Sequence, residues 1–454
     1  MAKLSRRDFS KLSVAGLATA GLPMAEASGA SSSPSGAASK VHLGGMAARQ
    51  ADYPAAKGHR VIVVGGGWSG LSIAKNLKVF GPDLDVVLIE RRSIFISHPI
   101  SGYWVSGMGN LDMLTHSFLD AAVNNGYGYL NASLVDLDRM SKRIYTDQGW
   151  LDYDDLVLAP GVDYNYASLG IEDPAHEQLL KTRYPAGFVS PSEHVTLFNK
   201  VHDFKGGVFV LTAPPGIYRC SATPYERACL MAGHFQRNKI DAKIVLIDSR
   251  EEPAVSAEGF MTAFDELYAD TIDYMTSTEI ASVDPETRTV STDFDDIVFD
   301  DAAIYPRIRG AHLLEQLGLA DPKSAQMEAS IDNFTYNASV DGKIDNHVYI
   351  AGDCRPMPFS KSGGTAASEG KYVAKLIAAR ARGDQTAWES PHTICFSMVS
   401  ADPLQALGVD GKYQFDKATN QWDHFENTAD NDRDEAKGLK ALEWAEEHFR
   451  DMFG

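Results

Sequence analysis

The chain has 454 residues, 44% of them hydrophobic, too long for one ordinary core and long enough for two or three domains. Its 61 acidic residues against 42 basic ones, a formal charge of −19, leave no basic surplus to neutralise phosphates and exclude nucleic-acid binding as its main task. Four cysteines are too few for a disulfide scaffold, and neither a Cys-x-x-Cys-His haem-attachment run nor a His/Cys spacing for a metal is present.

The first feature along the chain is Ser5-Arg6-Arg7-Asp8-Phe9-Ser10-Lys11, a twin-arginine pattern followed by a short Ala/Gly-rich apolar stretch and small-residue cleavage candidates near Ala27 and Ala30. Residues 1–30 therefore read as an export signal for a folded protein, with a periplasmic destination, and 31–58 as a flexible Ser/Ala/Gly-rich linker. The apolar stretch is too short for a stable membrane span. An oxidising destination lets any close pair of the four cysteines bond.

Next comes HRVIVVGGGWSGLSIAKNL, a β-branched run, a Gly65-x-Gly67-x-x-Gly70 turn and a helical pattern, then DVVLIE ending on Glu90, twenty residues after Gly70. Strand, glycine turn, helix and strand form a dinucleotide-binding unit. Gly65 makes the turn, Gly67 lets backbone approach a pyrophosphate, and Gly70 lets the helix pack closely. Glu90, followed by Arg91, is placed to hold ribose hydroxyls. Two later stretches narrow the dinucleotide. YDDLVLAPGVDY contains Ala159-Pro160-Gly161 after an apolar strand, and NHVYIAGDCRPMP is a strand ending in Gly352-Asp353. Both resemble signatures of flavoproteins with two dinucleotide domains, in which the Gly-Asp carboxylate lies near the ribityl and pyrophosphate of FAD.

The fold expected is α/β: two Rossmann-like domains, the FAD domain (59–172 and 307–384) split by an inserted second domain (173–306), plus a C-terminal α+β domain (385–454). The insert runs VFVLT, then PPGIYRCSATPYERAC, then a helix and KIVLIDS. Pro214 and Pro215 stand where a second glycine pattern belongs; lacking N–H groups, they cannot cradle a pyrophosphate, so this domain keeps the topology without a nicotinamide site. Lys361-Ser362-Gly363 precedes a helix whose positive end would stabilise charge on a reduced flavin, or simply makes a tight turn. The acidic stretch 410–435 reads as a surface loop and the final segment as an amphipathic helix.

VIVVGGGWSG, YDDLVLAPG, YRCSATPYERA, AGDCRPMPFSKSG, HTICFS and the terminal Met-Phe-Gly together resemble the flavoprotein subunit of flavocytochrome c sulfide dehydrogenase, a relative of sulfide:quinone oxidoreductases, over residues 59–454. The resemblance implies an FAD enzyme that oxidises sulfide to sulfur or polysulfide and passes electrons to a c-type cytochrome subunit, without integral membrane segments. It maps a redox-active disulfide onto Cys220 and Cys354, although Cys354 follows Asp353 one residue sooner than the pattern has it. Hydrosulfide would attack that disulfide, and the departing thiolate would pass electrons to FAD. Buried, unpaired thiols are the plainer reading of the same cysteines. Glu226, a turn beyond Cys220, is either a proton relay or a salt-bridge partner. Cys229 reads as core; Cys395 aligns with a segment that approaches the flavin, or is packing.

The family fixes FAD through a cysteine after the second strand, and RRSIFISHPISGYW has none. His98 stands nearest that place, so FAD is expected to be held noncovalently, with a histidyl link through His98 as the alternative. Other classes remain: a quinone-linked or NAD(P)H-dependent FAD oxidoreductase, or a flavoprotein scaffold without catalysis.

Overall fold

In the computed structural model residues 49–454 are described, except 358, 359, 417 and 420. The export pattern and residues 31–48 of the expected linker lie outside the described residues. The remainder of that linker is not free chain: Ala51 is buried and its amide bonds to the Trp150 carbonyl at 3.0 Å, and the Arg60 guanidinium bonds to the Pro54 carbonyl.

The split domain opens with β1 (Arg60–Val64), all five residues buried, then α1 (Trp68–Phe80) and β2 (Asp85–Glu90). The turn between β1 and α1 depends on glycine. Gly65 has φ +103°, and a Cβ on Gly70 would lie 1.8 Å from the Gly65 carbonyl oxygen, so any side chain at Gly70 forces the turn open. Helix α2 (Phe118–Asn125) and strands β3 (Gly128–Asn131) and β4 (Asp155–Leu158) follow.

The insert contains α3 (Pro191–Asp203), β5 (Gly207–Ala213), α4 (Thr223–Arg237), β6 (Ala242–Asp248), β7 (Ile272–Met275) and β8 (Asp301–Ala303). Pro224 sits in the first turn of α4, where its missing N–H costs nothing and its fixed φ suits the helix. The chain then returns with β9 (Asn337–Val340), β10 (Lys343–Ile350) and α5 (Gly363–Ala381).

The first sheet has the order β9-β10-β4-β1-β2-β3, parallel except at its β9 edge, and the second the order β7-β6-β5-β8, all parallel. These are the two Rossmann-like units read from the sequence. In each, ligand-facing loops leave the C-terminal ends of the strands, where open α/β sheets bind dinucleotides.

The C-terminal part is a three-stranded antiparallel sheet, β11 (His392–Ala401), β12 (Leu404–Asp416) and β13 (Gln421–Asp434), then α6 (Glu435–Phe453). The stretch 410–435, expected to be a surface loop, is instead mostly a long β-hairpin. Asp, Asn and Gly residues hide its strands, because a ladder exposed along much of one face needs little apolar alternation. Against α1, helix α6 lays Trp444, which stacks on Trp68 at 5.6 Å and 16°, and the amides of Asn124 and Asn125 bond to the carbonyls of Phe453 and Met452. Among the described residues no helix is long and apolar enough to cross a membrane.

Candidate functional site

A cavity of about 390 Å³ opens at the C-terminal ends of β1, β4 and β10, and Gly65, Gly67, Glu90, Arg91, His98, Ala159, Gly161, Gly352, Asp353, Ser362 and Gly363 all line it. Arg219 and Cys220, from the loop between β5 and α4, close its far wall. Gly70 stays outside, packed on the Gly65 carbonyl, so its part is to shape the turn.

The lining suits an FAD dinucleotide. A Cβ on Gly67 would meet no protein atom within 4 Å, which leaves its backbone open to a close-approaching phosphate. Asp353 presents one carboxylate oxygen, Oδ1, buried and without a hydrogen-bond partner, while Oδ2 takes the Arg219 Nε–H at 2.7 Å. An orphaned carboxylate oxygen in a cavity wall calls for a donor such as a ribityl hydroxyl. Ser362 caps α5 by accepting the Thr365 amide at 3.2 Å, which directs the positive end of that helix at the cavity.

Glu90 is less free than the sequence suggests. Its carboxylate accepts the Gly66 amide at 2.7 Å and three donors from Arg92, at 2.8, 2.9 and 3.1 Å. Burial raises its pKa, but the Arg92 bonds and charge outweigh that and hold the carboxyl below its ordinary value. Glu90 would hold a ribose diol only if the Arg92 guanidinium, one-third exposed, gave way to it. His98 has Nδ1 3.1 Å from the Gly187 carbonyl and 2.8 Å from His194 Nε2. Burial, then the charges of His194 and Arg219, holds His98 well below the usual imidazole range, so it is neutral at pH 7.

Two expected site residues are corrected. Lys361 is fully buried beneath the cavity; its ammonium donates to the carbonyls of Asp353 (2.9 Å) and Arg355 (2.7 Å) and pairs with Glu328 at 2.8 Å, so it reaches no cofactor. Cys354 is fully buried in the core on one face of the first sheet, beside Leu156, Leu158 and Ile350, with Sγ 3.3 Å from the Ala351 carbonyl. It does not line the cavity, and Cys220 belongs to a different cluster with Phe188, Tyr218 and Tyr305. The cause is the turn at Gly352 (φ +75°) and the one-turn 3₁₀ helix Gly352–Cys354, which face Asp353 to the cavity and Cys354 to the core.

The thiol that shares the neighbourhood of Cys220 is Cys395, on β11. Thr393 bonds Ser362 at 3.2 Å, the Met398 amide bonds Glu226 at 2.9 Å, and the Cys220 amide bonds the Lys361 carbonyl at 2.7 Å, so β11 is stitched to both segments that flank Cys220. Burial pushes the Cys395 thiol up to about 12, and negative charge on Cys220 and Glu226 adds to the rise. Burial likewise takes Cys220 up to about 12 against the pull of Arg219. All four cysteines are thiols in this structure. Glu226 is the third member: burial raises it to about 7, opposed by the Met398 amide and Arg227. Cys229 is fully buried core, as expected.

In the second domain an open cleft of about 430 Å³, lined by Gly216, Ile217, Ser221, Arg250, Glu251 and Glu252, lies at the ends of β5 and β6, and the protein's own side chains brace its wall. Asp248, at the end of β6, is fully buried and accepts Tyr225 (2.5 Å), Tyr274 (3.1 Å) and Arg250 (2.9 Å), and Arg250 also donates to the carbonyls of Pro214 and Gly216 at 2.9 and 2.8 Å.

Two parallel-sheet domains with a glycine-turn cavity at their junction define a disulfide-oxidoreductase-type flavoprotein. Residues 59–185 match the pyridine nucleotide-disulphide oxidoreductase family model, and 196–305 match the model for the central part of the sulfide dehydrogenase [flavocytochrome c] flavoprotein chain. The flavoprotein chain of Chlorobaculum thiosulfatiphilum sulfide dehydrogenase is 45% identical over 42 residues, 9% of this chain and 88% of that sequence. Sulfide-quinone reductase of Aquifex aeolicus is 22% identical over 237 residues, half of this chain and 52% of the relative, so about half of that protein's length is matched in sequence. The solved sulfide:quinone oxidoreductase of the same bacterium superposes with a TM-score of 0.71 at 16% identity, over 87% of this chain and 91% of that one. A putidaredoxin reductase in complex with putidaredoxin has the same fold at a TM-score of 0.61 and 14% identity, over 86% of this chain and 93% of that one. The chain belongs to the family of FAD flavoproteins related to sulfide-quinone reductase and to the flavoprotein chain of flavocytochrome c sulfide dehydrogenase.

Proposed function

We propose that this flavoprotein is an exported sulfide dehydrogenase in which Cys220 and Cys395, rather than Cys220 and Cys354, capture sulfide beside FAD, with a c-type cytochrome taking the electrons. One observation carries the reading: Cys220 lines the cofactor cavity, and Cys395 and Glu226, a carboxyl near neutrality, lie behind it within reach of its charge, on β11 and α4, which the Met398–Glu226 bond joins.

In the oxidised form the two sulfurs are joined. Hydrosulfide attacks Cys395, the S–S bond breaks, and a persulfide remains on Cys395 while Cys220 leaves as a thiolate. The asymmetry follows from Arg219, which favours the Cys220 thiolate and has no counterpart acting on Cys395, whereas Glu226 disfavours charge on both. Glu226 takes the proton released when hydrogen sulfide becomes the attacking anion. FAD, when bound, supplies a two-electron acceptor that can release electrons singly. Arg219 and the α5 N-terminus hold the negative charge in place at the cavity wall.

This role for Glu226 has a pH signature. Below about 7 the carboxyl is protonated and cannot accept; above it the carboxylate can. The ratio of wild-type to Glu226→Gln reduction rates is expected to climb through that region towards roughly a hundredfold, the size typical of a positioned base. Taking the ratio removes the ionisation of sulfide itself. A pH-independent ratio sinks the assignment.

Support for a one-electron protein acceptor lies at α6. Trp68 lines the cavity and stacks on Trp444, which meets His448 at 4.3 Å. Exposed Glu443, Glu446 and Glu447 surround this aromatic path, suiting a basic partner. Trp444→Leu is expected to slow cytochrome reduction severalfold at low salt and leave the reduction of flavin by sulfide at its wild-type rate; a loss of both, or of neither, contradicts this exit route.

The test of the whole reading is a pair of anaerobic titrations of holoprotein recovered from the periplasmic fraction. Sulfide is expected to bleach the flavin, and NADH to leave it oxidised, because Pro214 and Pro215 offer no N–H groups to a pyrophosphate and Glu251 and Glu252 line the cleft with negative charge. Bleaching by NADH alone would replace this reading with that of a nicotinamide-dependent reductase.

A further inference from the structure

The loop that carries Cys220 is tied to the cofactor half of the molecule at several places, and Arg219 makes the ion pair among them. Arg219 Nε donates to Asp353 Oδ2 at 2.7 Å, and its Nη1 donates to the Phe188 carbonyl at 2.5 Å. The Arg219 carbonyl accepts the Tyr305 hydroxyl at 2.9 Å. The next residue, Cys220, has φ +57°, a left-handed conformation that costs a non-glycine residue about 1 kcal/mol or more and persists only where surroundings impose it. The Cys220 amide is held by the Lys361 carbonyl, and the Lys361 ammonium is held by the Asp353 carbonyl at 2.9 Å. Room for the guanidinium is built in: a Cβ on Gly161 would stand 2.8 Å from an Arg219 terminal nitrogen.

Asp353 is therefore two-sided. One oxygen grips Arg219; the other, buried and unpartnered, waits on the cavity. We propose that Arg219 is a positioning residue that couples filling of the cofactor cavity to the reactivity of Cys220, through the Asp353 carboxylate that the cavity and the guanidinium share. Donors arriving at Oδ1 spread the carboxylate charge over two partners. Arg219 is then less neutralised and favours the Cys220 thiolate more strongly. The other groups facing Cys220 are Glu226, Cys395, Tyr218 and Tyr305, and none of them bonds the orphaned oxygen. The proposal rests on the FAD site and is independent of which donor reduces the flavin.

The experiment uses the full chain carrying Cys395→Ser, so that Cys220 cannot pair, with FAD bound and after its removal. Alkylation of Cys220 by brief pulses of iodoacetamide is followed by peptide mass spectrometry from pH 7 to 12.5, with circular dichroism checking that the fold persists, and the pH midpoint is read; shielding by the bound flavin changes the rate but not the midpoint. With Arg219 in place, filling the cavity is expected to increase the thiolate fraction at a fixed pH about tenfold, within the usual range of coupling between sites. Arg219→Met is expected to give one midpoint, filled or empty, and Arg219→Lys to restore part of the difference. Equal midpoints in the parent protein overturn the proposal without recourse to any variant, and so does a shift that survives in Arg219→Met. Failure of sulfide to bleach the flavin would overturn the proposed function and leave these midpoints untouched.

Discussion

Cys220→Ser and Cys395→Ser are each expected to yield a yellow holoprotein that sulfide no longer reduces, with a loss on the order of a thousandfold or more, as for removal of a nucleophile or its partner. Cys354→Ser is expected to bleach at the wild-type rate. Stopped-flow absorbance of the three variants decides between the pairs. The contrast follows from where the sulfurs point. Cys220 is on the cavity wall and Cys395 beside it, on a strand fastened to Ser362 and Glu226. Cys354 faces Leu158 and Ile350 on a core side that no substrate reaches. A serine there keeps its volume and can donate to the Ala351 carbonyl that now accepts the thiol, so the cost to stability is about 1 kcal/mol. Retained bleaching in Cys395→Ser, with loss in Cys354→Ser, would reverse the assignment.

The second large effect separates two glycines of one motif. Gly70→Ala is expected to destabilise the fold by about 3 kcal/mol and release FAD, because its Cβ would overlap the Gly65 carbonyl and nothing flexible can yield. Gly67→Ala is expected to leave the melting temperature of the apoprotein within a degree or two and still weaken FAD binding at least about tenfold. Gly67 already has φ −79°, which alanine accepts, and its Cβ would occupy only the open space that a phosphate needs. Thermal melts of flavin-free protein, paired with FAD titration by fluorescence quenching, read both. Equal loss of stability in the two variants contradicts the division of labour.

These contrasts also show how far sequence carries the reading. The β1, α1, β2 unit is legible because its strand is unbroken β-branched residues and its glycines have no substitute at that turn. Gly352-Asp353 is legible because a strand ending in an acid at the sheet's C-terminal edge has few other uses. The partner of Cys220 is not, because proximity in sequence to the flavin carboxylate is not proximity in space. A left-handed glycine followed by a single 3₁₀ turn is enough to send neighbouring side chains to opposite sides of the sheet. Cys395 reaches the site only through docking of the C-terminal sheet on α4 and α5, a long-range contact that no local pattern encodes. The same holds for Lys361, whose charge is absorbed by Glu328 from a distant loop, and for the Asp353–Arg219 pair that bridges the two domains. The Thr393–Cys395 alternation in HTICFS, with both residues on one face of a strand, is the available hint that this cysteine looks inward with its polar neighbour.

The most direct measurement is a non-reducing peptide map of air-oxidised holoprotein, alkylated before digestion to trap free thiols. A disulfide joining the peptides of Cys220 and Cys395, with Cys354 recovered alkylated, is the predicted result. A Cys220–Cys354 linkage, or four alkylated cysteines in protein that sulfide still bleaches, would contradict it.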